Sequence, residues 1–527
     1  MDIINLKNNE RDKNRDFSLA FIGVSTPHAT YILSDPGSYP ASGSLQHVVR
    51  TVNALGPDYS GRLDILLNDV SHPIVSRNIV LLLILGAVPN EAIAANMAIH
   101  FWFSAFLPSA YRLRILATLV SVLQQADAEA PLTVNLGRLS KLTCLVPQEI
   151  TGRLLYAAGP TVSTEDAEDA YHRMRAAPDR LDSRDRMYVG LKSSHRLAFL
   201  EFRRSGIVLP FGATRTHFTA PNVSLFSPFG KWLQNDEADP LASWDPDNVI
   251  KSGQAHGANP EDIYGCLYFY LSDQLRTFAR HIRDLNISFH VFSTDPRVLA
   301  KEISTGTYSM YGLSPSMRFN RIDVSNTLDA GHIGNQDVLR LWAPLLAEGN
   351  DAAIVGSFKN WADVQEKGHA EGAGDEVVAK INDRLTKTGR ALRGAASTPM
   401  KTGQMDILYD NSKEFSKFLK NQGIKDVLRE TKLKLRQRHK IIPHRAKTQV
   451  EGKTGDLPHL PDDETWYRYV SGPSPAARVA DAQHTLGRHG LSVGRGPNVT
   501  LRSLAPRYEP NSELRLLEYG GQSAKAL

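Results

Sequence analysis

The sequence predicts an α/β protein: a mostly parallel sheet with helices on both faces, a large helical insertion, and a basic helical tail. Three observations carry this prediction. Short apolar runs such as FSLAFI (17–22) and ISFHVF (287–292) alternate with helix-period segments, as strands buried on both faces do. Between residues 109 and 284 the alternation gives way to mainly helical segments, and it resumes afterwards. From residue 363 the chain turns basic: residues 367–445 hold 18 Lys and Arg against 9 Asp and Glu, an excess larger than the +5 of the whole chain.

The elements follow in order. The strand at 17–22 leads to the helix LQHVVRTVNAL, and the strand GRLDILLNDV (61–70) leads to HPIVSRNIVLLLIL, whose Pro73 suits a first helical turn. NEAIAANMAIHFWFSAFL is a further helix. The insertion contains AYRLRILATLVSVLQQA, DAEDAYHRMRAA and SSHRLAFLEFRRSG, an irregular stretch over 208–260, and the helix IYGCLYFYLSDQLRTFARHIRDL. Strands then recur at ISFHVFSTD, FNRIDVSN and AAIVGSFKNW, separated by the helices PRVLAKEIST and NQDVLRLWAPLLAE. The implied divisions are a disordered polar start at 1–16, the first part of the α/β domain at 17–108, and the insertion at 109–284. The second part of the domain follows at 285–362, then the basic helical segment at 363–447 and a Pro/Gly-rich, partly disordered tail at 448–527.

At 527 residues, with 42% hydrophobic and 22% charged residues, the composition is that of a soluble globular chain. Cys144 and Cys266 are the two cysteines, too few for a disulfide framework or a CxxC zinc site, and a reducing compartment is expected. The most apolar run, NIVLLLILGAV, stops at Pro89, short of the roughly 20 residues of a membrane span, and the polar start lacks a signal peptide's apolar core. A cytoplasmic location follows. The basic run KLKLRQRHKIIPHR offers nuclear import as its alternative, but a solvated helix face docked on the main domain is the favoured reading over nucleic-acid contact.

Ligands of open parallel sheets bind beyond the carboxyl ends of the strands. Three features are expected there. The turn ASGS, with Ser42, Gly43 and Ser44, precedes a helix whose free N–H groups favour anionic groups. Asp69 closes the second strand, where a carboxylate can accept from a ribose diol, and Asp295 closes the third, where an adenine edge would lie. The set suits an adenosine cofactor, above all S-adenosylmethionine. Asp69 or Ser71 can equally cap the next helix, as can Asp295 ahead of Pro296. A GxGxxG fingerprint is absent. After the fourth strand, DVSNTLDAGHIG gathers Asp323, Asn326, Asp329 and His332; Asp329 or His332 would be the catalytic base, although turn formation explains the same residues. In the insertion His195, Arg196, His217, Trp232 and Asp236 suggest a pocket, without metal-ligand spacing.

The stretch ASGSLQHVVRTVNALGPDYSGRLDILLNDVSHPIVSRNIVLLLIL resembles the N-terminal domain of a fungal family of unknown function. That domain is shared with axonemal dynein assembly factor 3 and is methyltransferase-like in fold. HFWFSAFLP, SHRLAFLEFRRSGIVLPFGA, EDIYGCLYFYLSDQLRTFARHI, FNRIDVSNTLDAGHIG and WAPLL extend the likeness over residues 17–361. The resemblance implies either an S-adenosylmethionine-dependent methyltransferase of unknown substrate, small molecule or protein, or a non-catalytic assembly factor with a protein partner. The family's Ser-Gly-Asp-Leu-Arg-Asn turn is here Ser42-Gly43-Ser44-Leu45-Gln46-His47, while Asn68-Asp69 and Arg77-Asn78 match. Removing residues 23–40 would join FSLAFI to ASGSLQHVV and restore the family's strand-turn-helix. The segment is a retained intron or a genuine surface insertion at the mouth of the crevice. A transcript lacking those codons supports the first reading, and one containing them removes it.

Overall fold

A computed structural model describes residues 4, 6, 12, 14–24, 44–56, 58–124, 130–158, 163–178, 181, 188, 191, 193–227, 229–234, 239–349, 351–358, 360–380, 411–435 and 489–494. The turn residues Ser42 and Gly43, most of 23–40, Asp236 and nearly all of the tail lie outside the described residues.

The chain opens with β1 (Phe17–Gly23), α1 (Leu45–Asn53), β2 (Arg62–Asp69), α2 (His72–Ala87) and α3 (Glu91–Phe103). Next come β3 (Phe106–Pro108), α4 (Ser109–Leu123), β4 (Leu132–Asn135), β5 (Lys141–Cys144), α5 (Gln148–Ala158), α6 (Thr164–Ala176) and α7 (Arg196–Ser205). The insertion ends with β6 (Phe218–Pro221), α8 (Pro246–Ala255) and α9 (Ile263–Asp284). The α/β alternation resumes with β7 (Asn286–Phe292), α10 (Pro296–Thr305), β8 (Arg321–Ser325), α11 (Asn335–Trp342), β9 (Ala353–Phe358) and α12 (Trp361–Val364). Last are α13 (Ser412–Asn421), α14 (Ile424–Glu430), β10 (Lys434–Leu435) and β11 (His489–Gly494).

All five strands expected from the sequence lie in one sheet, ordered β10-β11-β9-β8-β1-β2-β7-β5-β4. The strands from β9 to β5 run parallel, and β4, β11 and the β11–β10 pairing are antiparallel. Ranked along the chain, β7-β2-β1-β8-β9 is the 3-2-1-4-5 order of a doubly wound sheet, which reverses between β1 and β8. The insertion was expected to be mainly helical, yet it also lengthens the sheet, because β5 pairs with β7 and β4 with β5. The hairpin between them turns at Gly137, where a Cβ would lie 2.6 Å from the Ile282 carbonyl oxygen and 2.8 Å from Arg283 Cα, so only glycine lets the turn close on α9.

Strand alternation builds two cores. Leu19, Phe21, Leu63, Ile65, Leu67, Phe289 and Val291 bury one face beneath α1, α2, α3 and α9. Ala20, Ile22, Leu66, Phe292, Ile322, Val324 and Phe358 bury the other beneath α10, α11, α13 and α14. Helices α13 and α14 dock through Phe415, Phe418, Leu419, Ile424 and Val427 while Lys413, Lys417, Lys420 and Lys425 stay exposed. Near the start of the chain, Ile4 and Leu6 are buried, and Thr51 Oγ1 donates to the Ile4 carbonyl.

The insertion is fastened to α3 by Asn222. Its Nδ2 shares two protons among the carbonyls of His100, Phe101 and Ser104, 3.0, 2.9 and 2.7 Å away at the end of α3. His100 is 1% exposed among Tyr111, Phe218 and Tyr268, with Nδ1 3.0 Å from Ser104 Oγ. Ser104 Oγ accepts from Val208 N–H, which leaves its own proton for the imidazole. Burial pushes the His100 pKa down to about 3, so the ring is neutral in the fold. The unfolded chain binds this proton near pH 6.5, so the His100 contribution to stability is complete above that pH and is lost as the pH falls toward 3. In urea unfolding between pH 6.5 and 5, His100→Gln should flatten the pH dependence by up to about 1.4 kcal/mol per pH unit. An unchanged slope contradicts this.

Candidate functional site

The crevice of a doubly wound sheet lies beyond the carboxyl ends of β1 and β8, where the strand order reverses. Among the described residues, Asp69, Asp295 and Asp323 each already accept from a backbone N–H of the turn that follows their strand. β2 ends in Asn68 and Asp69, both 0% exposed, with Asp69 in register with Gly23 of β1. Asn68 binds Thr294 twice: its Nδ2 donates to the Thr294 carbonyl at 2.9 Å, and its Oδ1 accepts from Thr294 N at 3.0 Å. This joins the end of β2 to the loop after β7. Asp69 Oδ1 accepts from Ser71 N at 2.8 Å, an Asx turn that starts α2.

On the other side of β1, Ser44 is the N-cap of α1, but its side chain makes no capping bond. The acceptor comes from α2 instead: Leu45 N donates to Asn78 Oδ1 at 3.2 Å. One of the N–H groups expected to meet a ligand at this helix start is therefore taken by a buried asparagine. Asn78 was noted in the sequence only as a family match. Its signal was an asparagine opening an apolar helical run.

Asp295 caps α10, accepting from Arg297 N at 2.8 Å, and pairs with the Arg297 side chain, Nη2 to Oδ2 at 2.6 Å. Those hydrogen bonds and the guanidinium charge hold its carboxyl below the usual range. At the end of β8, Asp323 Oδ1 accepts from Ser325 N at 2.9 Å across a register shift against β9. Ser325 has φ +48°, and with Lys432 it is one of two non-glycine residues in this region among the described residues. Gly356 of β9 makes room for the bend, since a Cβ there would lie 2.9 Å from Val324 Cγ2 and 3.0 Å from the Ser325 carbonyl oxygen.

The bend leads into the turn that holds the two expected catalytic residues. Asn326 Nδ2 donates to His332 Nε2 at 2.9 Å, and His332 N donates to the Asp329 carbonyl at 2.9 Å. Asp329 is buried and His332 half-buried. Asn326, Asp329 and His332 are thus brought together within one turn bonded to itself.

The residues singled out in the insertion do not share such a turn. Trp232 packs with Tyr171 and Phe226 in a separate aromatic core, His217 is exposed, and His195 ends a 3-10 turn before α7. Two small clefts occur elsewhere. One lies between α2 and α5; the other lies between α7, residues 207–215 and the start of α9. Neither is lined by Asp69, Asp295, Asp329 or His332. Among the described residues no helix is long and apolar enough to cross a membrane.

Comparison with known proteins bears on the first part of the chain. No curated protein and no solved structure matches the chain. Residues 1–107, which hold β1, α1, β2, α2 and α3 with the Asn68-Asp69 and Arg77-Asn78 pairs, match a domain of unknown function, DUF4470.

Proposed function

We propose that the protein is a non-catalytic assembly or protein-interaction factor built on a methyltransferase-like fold. One observation carries the reading: the wholly buried Asp69 carboxylate, the group that would grip a ribose, accepts the Ser71 N–H that starts α2. A ribose diol could reach that carboxylate only by displacing the residues that bury it and disturbing the turn it already holds. The Asn78 oxygen at the start of α1 works in the same direction.

Strand order favours a second reading, an S-adenosylmethionine-dependent methyltransferase. The 3-2-1-4-5 order and the antiparallel β11 between β9 and β10 support a methyltransferase-like sheet, and Asn326, Asp329 and His332 stand at its point of reversal. In that case Ser42, Gly43, Ser44 and Asp69 would hold the cofactor and Asp295 its adenine. Fold alone does not carry chemistry, and the engaged, buried Asp69 weighs toward the first reading.

Calorimetric titration of the full chain with S-adenosylmethionine and with S-adenosylhomocysteine separates the two. We expect no binding heat from either. Asp69→Ala should lower unfolding stability by about 1–2 kcal/mol through loss of the turn. Saturable binding that disappears in Asp69→Ala would establish the methyltransferase reading instead.

A further inference from the structure

We propose that the cleft between α2 and α5 binds a doubly charged phosphate group through Arg77 and Arg153. Its volume is about 20 Å³, and its lining includes Pro73, Ser76, Arg77, Arg153, Tyr156 and Ser224. That is room for about one water, so an anionic group would meet the arginines at the cleft mouth with its bulk outside. The cleft is lined by none of the residues at the α1 start and is independent of the function proposed above.

The neutral polar groups around the cleft are already used. Ser76 Oγ donates to the His72 carbonyl at 2.7 Å, Ser224 Oγ to the Phe101 carbonyl at 2.6 Å, and the Tyr156 hydroxyl to the Ser227 carbonyl at 2.9 Å. The guanidinium groups are not. Arg77 Nη2 donates to the Ser224 carbonyl at 3.1 Å, while its buried Nε has no acceptor. Among the described residues no carboxylate pairs with either arginine, and the neighbouring charge that acts on Arg77 is the like charge of Arg153. Burial and that repulsion draw the Arg77 pKa down to about 10, which leaves it charged at neutral pH.

Two cations sharing a partly dehydrated cleft without a counter-charge repel each other, and an anion between them relieves both. Guanidinium groups present paired donors that match tetrahedral and planar oxyanions. A dianion balances both charges where a carboxylate balances one, which selects phosphate over acetate. Two sources carry such a group, the free ion and a phosphomonoester.

The test is thermal unfolding of the full chain with inorganic phosphate, with O-phosphoserine, and with acetate, each against sodium chloride at matched ionic strength. Phosphate should raise the midpoint saturably, and acetate should not. An added response to O-phosphoserine assigns the site to monoesters, and a response to phosphate alone assigns it to the free ion. Arg153→Met, at a half-buried position that makes no structural hydrogen bond among those described, should weaken the apparent affinity about tenfold or more. Arg114→Met, on the exposed side of α4, should leave it unchanged. An equal rise with matched sodium chloride, or an undiminished response in Arg153→Met, would overturn the proposal.

Discussion

A parallel sheet stops abruptly at its carboxyl edge, and every backbone N–H freed where a strand turns into a helix must find an acceptor. This constraint governs the edge of the present sheet. Asn68, Asp69, Asn78, Asp295 and Asp323 each supply a side-chain oxygen to such an N–H, at Thr294, Ser71, Leu45, Arg297 and Ser325. The same short polar side chains are the ones a cofactor would need. An edge that uses them to close its own turns is mechanically firm and chemically occupied. Asn68 shows the gain: two hydrogen bonds to one residue tie the second strand to the third across a gap of 226 positions in the chain.

A contrast elsewhere in the insertion sharpens the meaning of Arg77 and Arg153. There the chain buries Arg175 and Arg203, each 7% exposed, in the field of Asp239, whose carboxylate accepts from the Tyr264 hydroxyl at 3.0 and 2.9 Å. Desolvation raises the Asp239 pKa while Tyr264 and the two arginines oppose it, so cation and anion are buried together. Arg175 also lies 5.1 Å over the Tyr171 ring. The cleft on α2 has the cations without the carboxylate, which is why it reads as half of a pair whose other half arrives from outside.

Much of the fold was legible because burial leaves a plain mark on sequence. Runs such as LAFI (19–22) and ILL (65–67) carry no polar residue, and only strands covered on both sides tolerate that. Other sheet segments escaped for physical reasons. β4 and β5 span four residues each, LTVN and KLTC, too few to show a period, and their pairing depends on Gly137 meeting the end of α9, a contact distant in sequence. β11, HGLSVG, is joined to the sheet by antiparallel bonds to β9 from a stretch otherwise rich in glycine and proline. At the site, Asp69 closes β2 as expected, while Asp295 lies beyond the end of β7 as the N-cap of α10; an aspartate in either place suits a cap and a ligand, and the bond to Ser71 or Arg297 is what the sequence does not show. Asn78 was harder still, since its partner Leu45 lies on another helix.

The claim beneath this account is that the oxygens at the sheet edge are committed to the fold. Native-state hydrogen exchange at the Ser71 and Leu45 amides, with and without S-adenosylhomocysteine, measures it most directly. Protection matching the interior of α2, unaltered by the ligand, is the predicted result. Fast exchange at both amides, or protection that appears only when the ligand is added, would contradict it.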